Sequence, residues 1–376
     1  MDITQFLRPE VAHFEPYLPG KSADQVKKKL KLRRMVRLSA NENALGTSAK
    51  VVRSLRRNAT NYFRYPCGSG TDLRAALAQS CNVSPSQVIL GSGSDELIEL
   101  LGKTFFNRQD EVVVSQHAFL RYKMAAEMMG SKTLVVPMRG FAHDLTAMAA
   151  RVTPKTKALF VANPNNPTGT YAARVEVKKF FADLSAKRAF DRPLLVVFDE
   201  AYYEFSRFLV QDYPDILHYF KRGLNVMVLR TFSKIYGLAG LRVGYGIARA
   251  DIVSALDRVR PPYNVSTIAQ QAALWALADQ EHVKKSVLAA RDGLKYLAGE
   301  LAKMGLSFVP SAANFLMVAT GAKTTGKELC AKLLRRGILV RSLEEYGYDH
   351  HFRVTVGRMD ENRFFIQKLK EVLYQP

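Results

Sequence analysis

The chain has 376 residues, 48% hydrophobic and 24% charged, enough apolar material for a large core and too little charge for wholesale disorder. The net charge of +21 would attract anions such as phosphorylated substrates. The basic residues are spread along the chain, however, and the densest run, Lys27-Lys28-Lys29-Leu30-Lys31-Leu32-Arg33-Arg34, has neither interleaved aromatics nor a nucleic-acid signature, so it reads as a solvated helix face. Cys67, Cys81 and Cys330 form no CxxC pair, the histidines lack metal-ligand spacing, and no signal-peptide pattern or long apolar run occurs. These features predict a cytoplasmic protein without metal, membrane span or nucleic-acid partner.

In chain order, residues 1–35 are expected to form an arm and a helix that belong with a smaller domain. Short apolar runs then recur at 88–90, 111–114, 133–136, 158–162, 194–198, 225–230 and 243–247, separated by helical patterns such as 95–106 and 174–188. Strands this apolar are buried on both faces, as in a mainly parallel sheet covered by helices. The alternation predicts an α/β fold with a seven-stranded sheet in a large domain spanning 36–263. Beyond it, long helices at 265–278 and 283–304, strands at 315–318, 338–341 and 352–356, and a helix at 360–373 predict a smaller α+β domain over 264–376.

Four segments follow the carboxyl ends of strands, where such sheets bind ligands. Gly91-Ser92-Gly93-Ser94-Asp95-Glu96 opens a helix; alone it is either an anion cradle or a tight turn with an N-cap. Asn163-Pro164-Asn165-Asn166-Pro167-Thr168-Gly169 is a turn with more turn-forming residues than a turn requires. Phe198-Asp199-Glu200-Ala201-Tyr202 ends a strand in a carboxylate, either a cap or a partner for a cationic group. Thr231-Phe232-Ser233-Lys234 leads through a Gly-rich stretch to Arg242.

One ligand would use all four. A phosphate would sit on the Gly93, Ser94 and Asp95 amides, the Thr231 and Ser233 hydroxyls, and Arg242. A pyridinium nitrogen would pair with Asp199, a phenolate oxygen with Asn166 and Tyr202, and an aldehyde with the Lys234 amine. These are the functional groups of pyridoxal 5′-phosphate, and a lysine becomes nucleophilic when burial or nearby cations lower its pKa.

The segments resemble, in order, those of fold-type I aminotransferases, most of all the histidinol-phosphate aminotransferase family. The match runs through Asn41-Glu42-Asn43, Tyr65-Pro66, Gly91–Glu96, Asn163–Gly169, Asp199–Tyr202, Ser233–Gly244, Asn314-Phe315-Leu316 and Arg353–Gly357. The resemblance implies a homodimer with Lys234 as the cofactor-binding and proton-shuttling lysine, Asp199 on the pyridine nitrogen, and Asn166 and Tyr202 on the ring hydroxyl. It implies that Phe119 stacks on the ring, although core packing is an alternative for this residue. Ser94, Asp95, Thr231, Ser233 and Arg242 would hold the phosphate, and Tyr65 would reach the phosphate in the partner subunit. Arg353 would grip the substrate carboxylate with a bidentate fork. Arg341, Tyr17 and Asn43 complete the expected substrate set.

The implied reaction is transamination, with glutamate and 2-oxoglutarate as one substrate pair and a phosphorylated imidazole compound as the other. Aromatic amino-acid transamination and threonine-phosphate decarboxylation use similar sites and stand as alternatives. A non-catalytic regulatory module is disfavoured by the intact set of Lys234, Asp199 and Tyr202 and by the lack of a DNA-binding segment.

Overall fold

The computed structural model describes residues 3–12, 14, 23–322 and 324–374. Its strands are β1 (Val36–Arg37), β2 (Val88–Gly91), β3 (Glu111–Ser115), β4 (Lys132–Val136), β5 (Thr156–Ala162), β6 (Leu195–Asp199), β7 (Val226–Thr231), β8 (Gly244–Ile247), β9 (Phe308–Val309), β10 (Phe315–Ala319), β11 (Ile338–Leu339), β12 (Arg341–Ser342) and β13 (His351–Thr355). The large sheet has the order β2-β8-β7-β6-β5-β3-β4. Only β8 runs against its neighbours, pairing antiparallel with both β2 and β7. The expected mainly parallel, seven-stranded α/β sheet is therefore present.

Strand alternation sorts the central residues onto two cores. Leu159, Val161, Val196, Phe198, Val226 and Val228 pack on one face. Ala158, Phe160, Ala162, Leu195, Val197, Met227 and Leu229 pack on the other. With both faces covered, the polar residues at strand ends are the ones left to meet a ligand.

The smaller sheet, β12-β13-β10-β9, is antiparallel. The strand expected over 338–341 is broken. Ile338 and Leu339 pair with β1, whereas Arg341 and Ser342 pair with β13, so the chain changes sheets at buried Val340.

Core packing also bears on the domain division expected at 263/264. In the Gln280–Lys303 helix, Val283, Val287 and Ala290 belong to a core of the large sheet. Leu297 and Leu301 join the small-domain core, together with Val36 and Leu38. We place the division within this helix, and assign 36–38 to the small domain, because the apolar contacts change partner there. Among the described residues, no helix is long and apolar enough to cross a membrane.

Candidate active site

The carboxyl ends of β5, β6 and β7 open into a cleft. Its walls include Ser94, Asp95, Phe119, Tyr122, Asn166, Asp199, Tyr202, Thr231, Ser233, Lys234 and Arg242. The structure thus gathers most of the residues expected to bind a cofactor, from segments far apart in the chain.

One end of the cleft is built for an anion. The Ser94–Phe105 helix starts after Gly93, which has φ +78° and provides no side-chain cap. Its first amides therefore keep the donors and the positive dipole end that suit a phosphate. A Cβ on Gly93 would lie 2.4 Å from Arg242 Nη2, and one on Gly244 would lie 2.6 Å from the Ser94 nitrogen. Both glycines are needed for this close approach. Arg242 Nη1 donates to Ser233 Oγ at 3.2 Å, while Nη2 lies 3.5 Å from Asp95 Oδ2. Thr231 Oγ1 accepts from the Ser233 amide at 3.1 Å, which turns the chain toward Lys234.

The other end is framed by a buried carboxylate. Asp199 is 6% exposed. Burial lifts its carboxyl to about 6, against hydrogen bonds from Tyr122 and the Ala201 amide that favour the ionised form. Tyr122 Oη donates to Asp199 Oδ2 at 2.7 Å. Sequence reasoning missed Tyr122, whose position in the Leu120–Glu127 helix looks like ordinary core. It also missed Asn41, which donates from Nδ2 to Tyr202 Oη at 2.8 Å. Asn41 has φ +55°, and its side-chain oxygen accepts from Thr355 at 3.1 Å. The short polar run Asn41-Glu42-Asn43 was the available signal, but it pointed to Asn43.

Lys234 enters between the two ends. Its Nζ donates to the Ala40 carbonyl at 3.1 Å and lies 5.6 Å from the Tyr202 ring centre. Burial, reinforced by the Arg353 charge, lowers its amine to about 8. A larger share of it is therefore neutral and nucleophilic near neutral pH than for an exposed lysine.

The remaining expected residues divide. Phe119 lines the cleft and meets Tyr122 edge-on, with ring centres 5.8 Å apart. Arg353 is 7% exposed and donates to Asn166 Oδ1 and to the Ser39 carbonyl. Among the described residues its Nε has no hydrogen-bond partner and no carboxylate forms an ion pair with it. Arg341 stands directly opposite Arg353 in the β12–β13 register and is held by Glu345. Asn43 is not on the cleft wall. Its amide donates to the Ile235 carbonyl and to Ser286 Oγ, at 2.5 and 2.9 Å, tying its loop to the one that carries Lys234. Tyr65 lies away from this cleft, 83% exposed and stacked on Tyr263 at 4.7 Å. Tyr17 lies outside the described residues.

These groups fit pyridoxal phosphate. An uncapped helix start with a guanidinium above it would take the phosphate. A buried carboxylate would take the ring nitrogen, and a lysine with a lowered pKa would take the aldehyde. Arg353, a desolvated cation, would be left for a substrate anion.

Comparison with known proteins agrees with this reading. The family model described as "Aminotransferase class I and II" matches residues 33–369. The chain is 41% identical over 367 residues to histidinol-phosphate aminotransferase of Moorella thermoacetica, covering 97% of this chain and 92% of that protein. It is also 41% identical to histidinol-phosphate aminotransferase 2 of Carboxydothermus hydrogenoformans, covering 98% and 99%. Among solved structures, histidinol-phosphate aminotransferase from Sinorhizobium meliloti in complex with pyridoxal-5′-phosphate superposes with a TM-score of 0.86 at 26% identity, covering 97% of each chain. The glycine-supported anion cradle, the buried carboxylate and the depressed lysine thus sit in a chain that belongs to the class I and II aminotransferases.

Proposed function

We propose that this chain is a pyridoxal-phosphate-dependent histidinol-phosphate aminotransferase, working in the cytoplasm as a homodimer. In the biosynthetic direction it would take nitrogen from glutamate and deliver it to imidazole-acetol phosphate. The bound cofactor supplies an electron sink for the charge that develops at the substrate Cα. Lys234 holds the cofactor and moves the proton at that carbon. Asp199, oriented by Tyr122 and the Ala201 amide, supplies a negative charge for the ring nitrogen. Asn166 and Tyr202 orient the ring, and the Ser94 helix start, Thr231, Ser233 and Arg242 hold the phosphate. Tyr65, exposed on this chain, is available to a second copy.

The observation that carries the substrate assignment is Arg353. It is a buried guanidinium with no carboxylate partner among the described residues, and Arg341, paired with Glu345, is its cross-strand neighbour. A desolvated guanidinium favours a substrate that bears a carboxylate or a phosphate, and a planar fork binds either with two parallel bonds. Replacing Arg353 with lysine keeps the charge and removes the fork. We expect kcat/KM for both glutamate and the phosphorylated substrate to fall about 10- to 100-fold. Unchanged kinetics for both would remove Arg353 from the substrate site.

Substrate choice is tested by steady-state comparison of histidinol phosphate, phenylalanine and tyrosine as donors to 2-oxoglutarate. Histidinol phosphate should be preferred clearly. A preference for phenylalanine would make this an aromatic amino-acid aminotransferase instead.

A further inference from the structure

Behind the cleft, on the opposite face of the large sheet, lies a buried polar cluster centred on Glu200 and Arg230. Glu200 is fully buried and Arg230 is 5% exposed. Arg230 donates from Nε and Nη2 to Glu200 Oε2, at 3.0 and 2.8 Å. The Tyr203 ring covers the guanidinium at 3.4 Å. Tyr213 Oη donates to the Asn163 carbonyl and lies 3.4 Å from Glu200 Oε1.

The position of this cluster is informative. Glu200 directly follows Asp199, and Arg230 directly precedes Thr231. Because successive strand side chains alternate, the pair faces away from the cleft while its neighbours face into it. The Glu200 amide also donates to the Leu229 carbonyl at 2.8 Å. Tyr213 extends the cluster to Asn163, the first residue of the loop that bears Asn166. Three cleft segments, from the ends of β5, β6 and β7, therefore meet at one buried ion pair. On the fourth side, a Cβ on Gly244 would lie 3.0 Å from the Arg230 carbonyl and 2.6 Å from the Ser94 nitrogen, so the phosphate cradle packs against the same backbone.

We propose that Glu200, Arg230 and Tyr213 are positioning residues that hold Asp199, Thr231 and Asn166 in register around the cofactor ring. They touch neither cofactor nor substrate and act through the strand ends. A buried ion pair is weak evidence for stability, because desolvation offsets its attraction, and apolar pairs of similar volume often replace one without loss. Its use here is geometric: two hydrogen bonds to one carboxylate oxygen fix the relative height of β6 and β7 at the point where each delivers a cleft side chain. This inference rests on the cleft being the cofactor site.

The test uses two holoenzyme variants. E200L/R230M keeps the volume and removes both charges, and Y213F removes one hydroxyl. For each, the melting temperature, the cofactor dissociation constant by equilibrium dialysis, and the pH midpoint of the bound cofactor's visible absorption are measured. For E200L/R230M we expect a melting temperature close to the parent's, a cofactor dissociation constant raised about tenfold or more, and a displaced midpoint. Y213F should shift the same two quantities in the same direction, to a smaller extent. If both variants bind cofactor with parental affinity and midpoint, the cluster is structural only and the proposal fails, whatever happens to the melting temperature. If the parent itself binds no pyridoxal phosphate, the failure belongs to the cofactor assignment.

Discussion

Lys234→Ala should lower turnover by about 10⁴-fold or more, because it removes the amine that both bonds the cofactor and moves the substrate proton. The fold should survive, since the side chain contributes one hydrogen bond, to the Ala40 carbonyl. The same depressed pKa has a stability consequence in the cofactor-free protein. The folded-state value is about 8 against an ordinary 10.5, so the unfolded chain binds the proton more tightly. Below pH 8 both states are protonated and folding bears the full cost of burying the charge. Between about 8 and 10.5 the folded state has lost its proton, and the cost is relieved as pH rises. The melting temperature of the parent apoprotein should therefore climb toward that of a Lys234→Met variant over this window. A gap independent of pH would show that the amine is not desolvated, and full activity in the alanine variant would remove Lys234 from the chemistry.

Asp199→Asn is expected to cost about 10³-fold in kcat while the protein still folds and binds cofactor. The carboxylate supplies charge that an amide cannot, even though the amide oxygen can still accept from Tyr122. Here the linkage has the opposite sense. Burial raises the folded-state pKa from 3.8 to about 6. Below 3.8 the carboxyl is neutral in both states and the substitution should change little. As pH rises through this window, ionisation favours the unfolded chain, so the apoprotein should be less stable than Asp199→Asn above about pH 6. The site holds a carboxylate that is costly until a cationic ring arrives, as expected where function and stability compete. Thermal melts of both apoproteins at pH 4 and pH 7 would check this. Equal stability at both pH values, or full activity of the asparagine variant, would count against the role.

Much of the fold was readable because its central strands are apolar on both faces. Residues 158–161 are all fully buried, and runs like theirs stand out without any alternation to decode. Several residues that line the cleft were readable for a related reason. Asp199, Thr231 and the Asn163–Gly169 loop sit at the ends of such runs, where an Asp, Thr or Asn has no apolar purpose. Tyr122 was not readable, because nothing in its local spacing aims it at a carboxylate 77 residues away. Asn41 was obscured in the same way, since it depends on Thr355 and Tyr202, both brought to it by tertiary packing. The break at Val340 escaped because β1, two residues long, carries too little pattern to announce itself as the partner of β11. Some helices could have been found. Thr325 and Glu328 form a capping box ahead of the Gly326–Arg335 helix, and Ser48 caps Ala49–Arg57.

The most direct measurement of amino-group exchange is a single-turnover titration of the holoenzyme with histidinol phosphate, without any keto acid, followed by the visible absorption of the cofactor. An aminotransferase acting on this phosphorylated amine should lose that band stoichiometrically, one equivalent per chain, and regain it on adding 2-oxoglutarate. A band that stays unchanged with histidinol phosphate, yet disappears with phenylalanine, would contradict that activity.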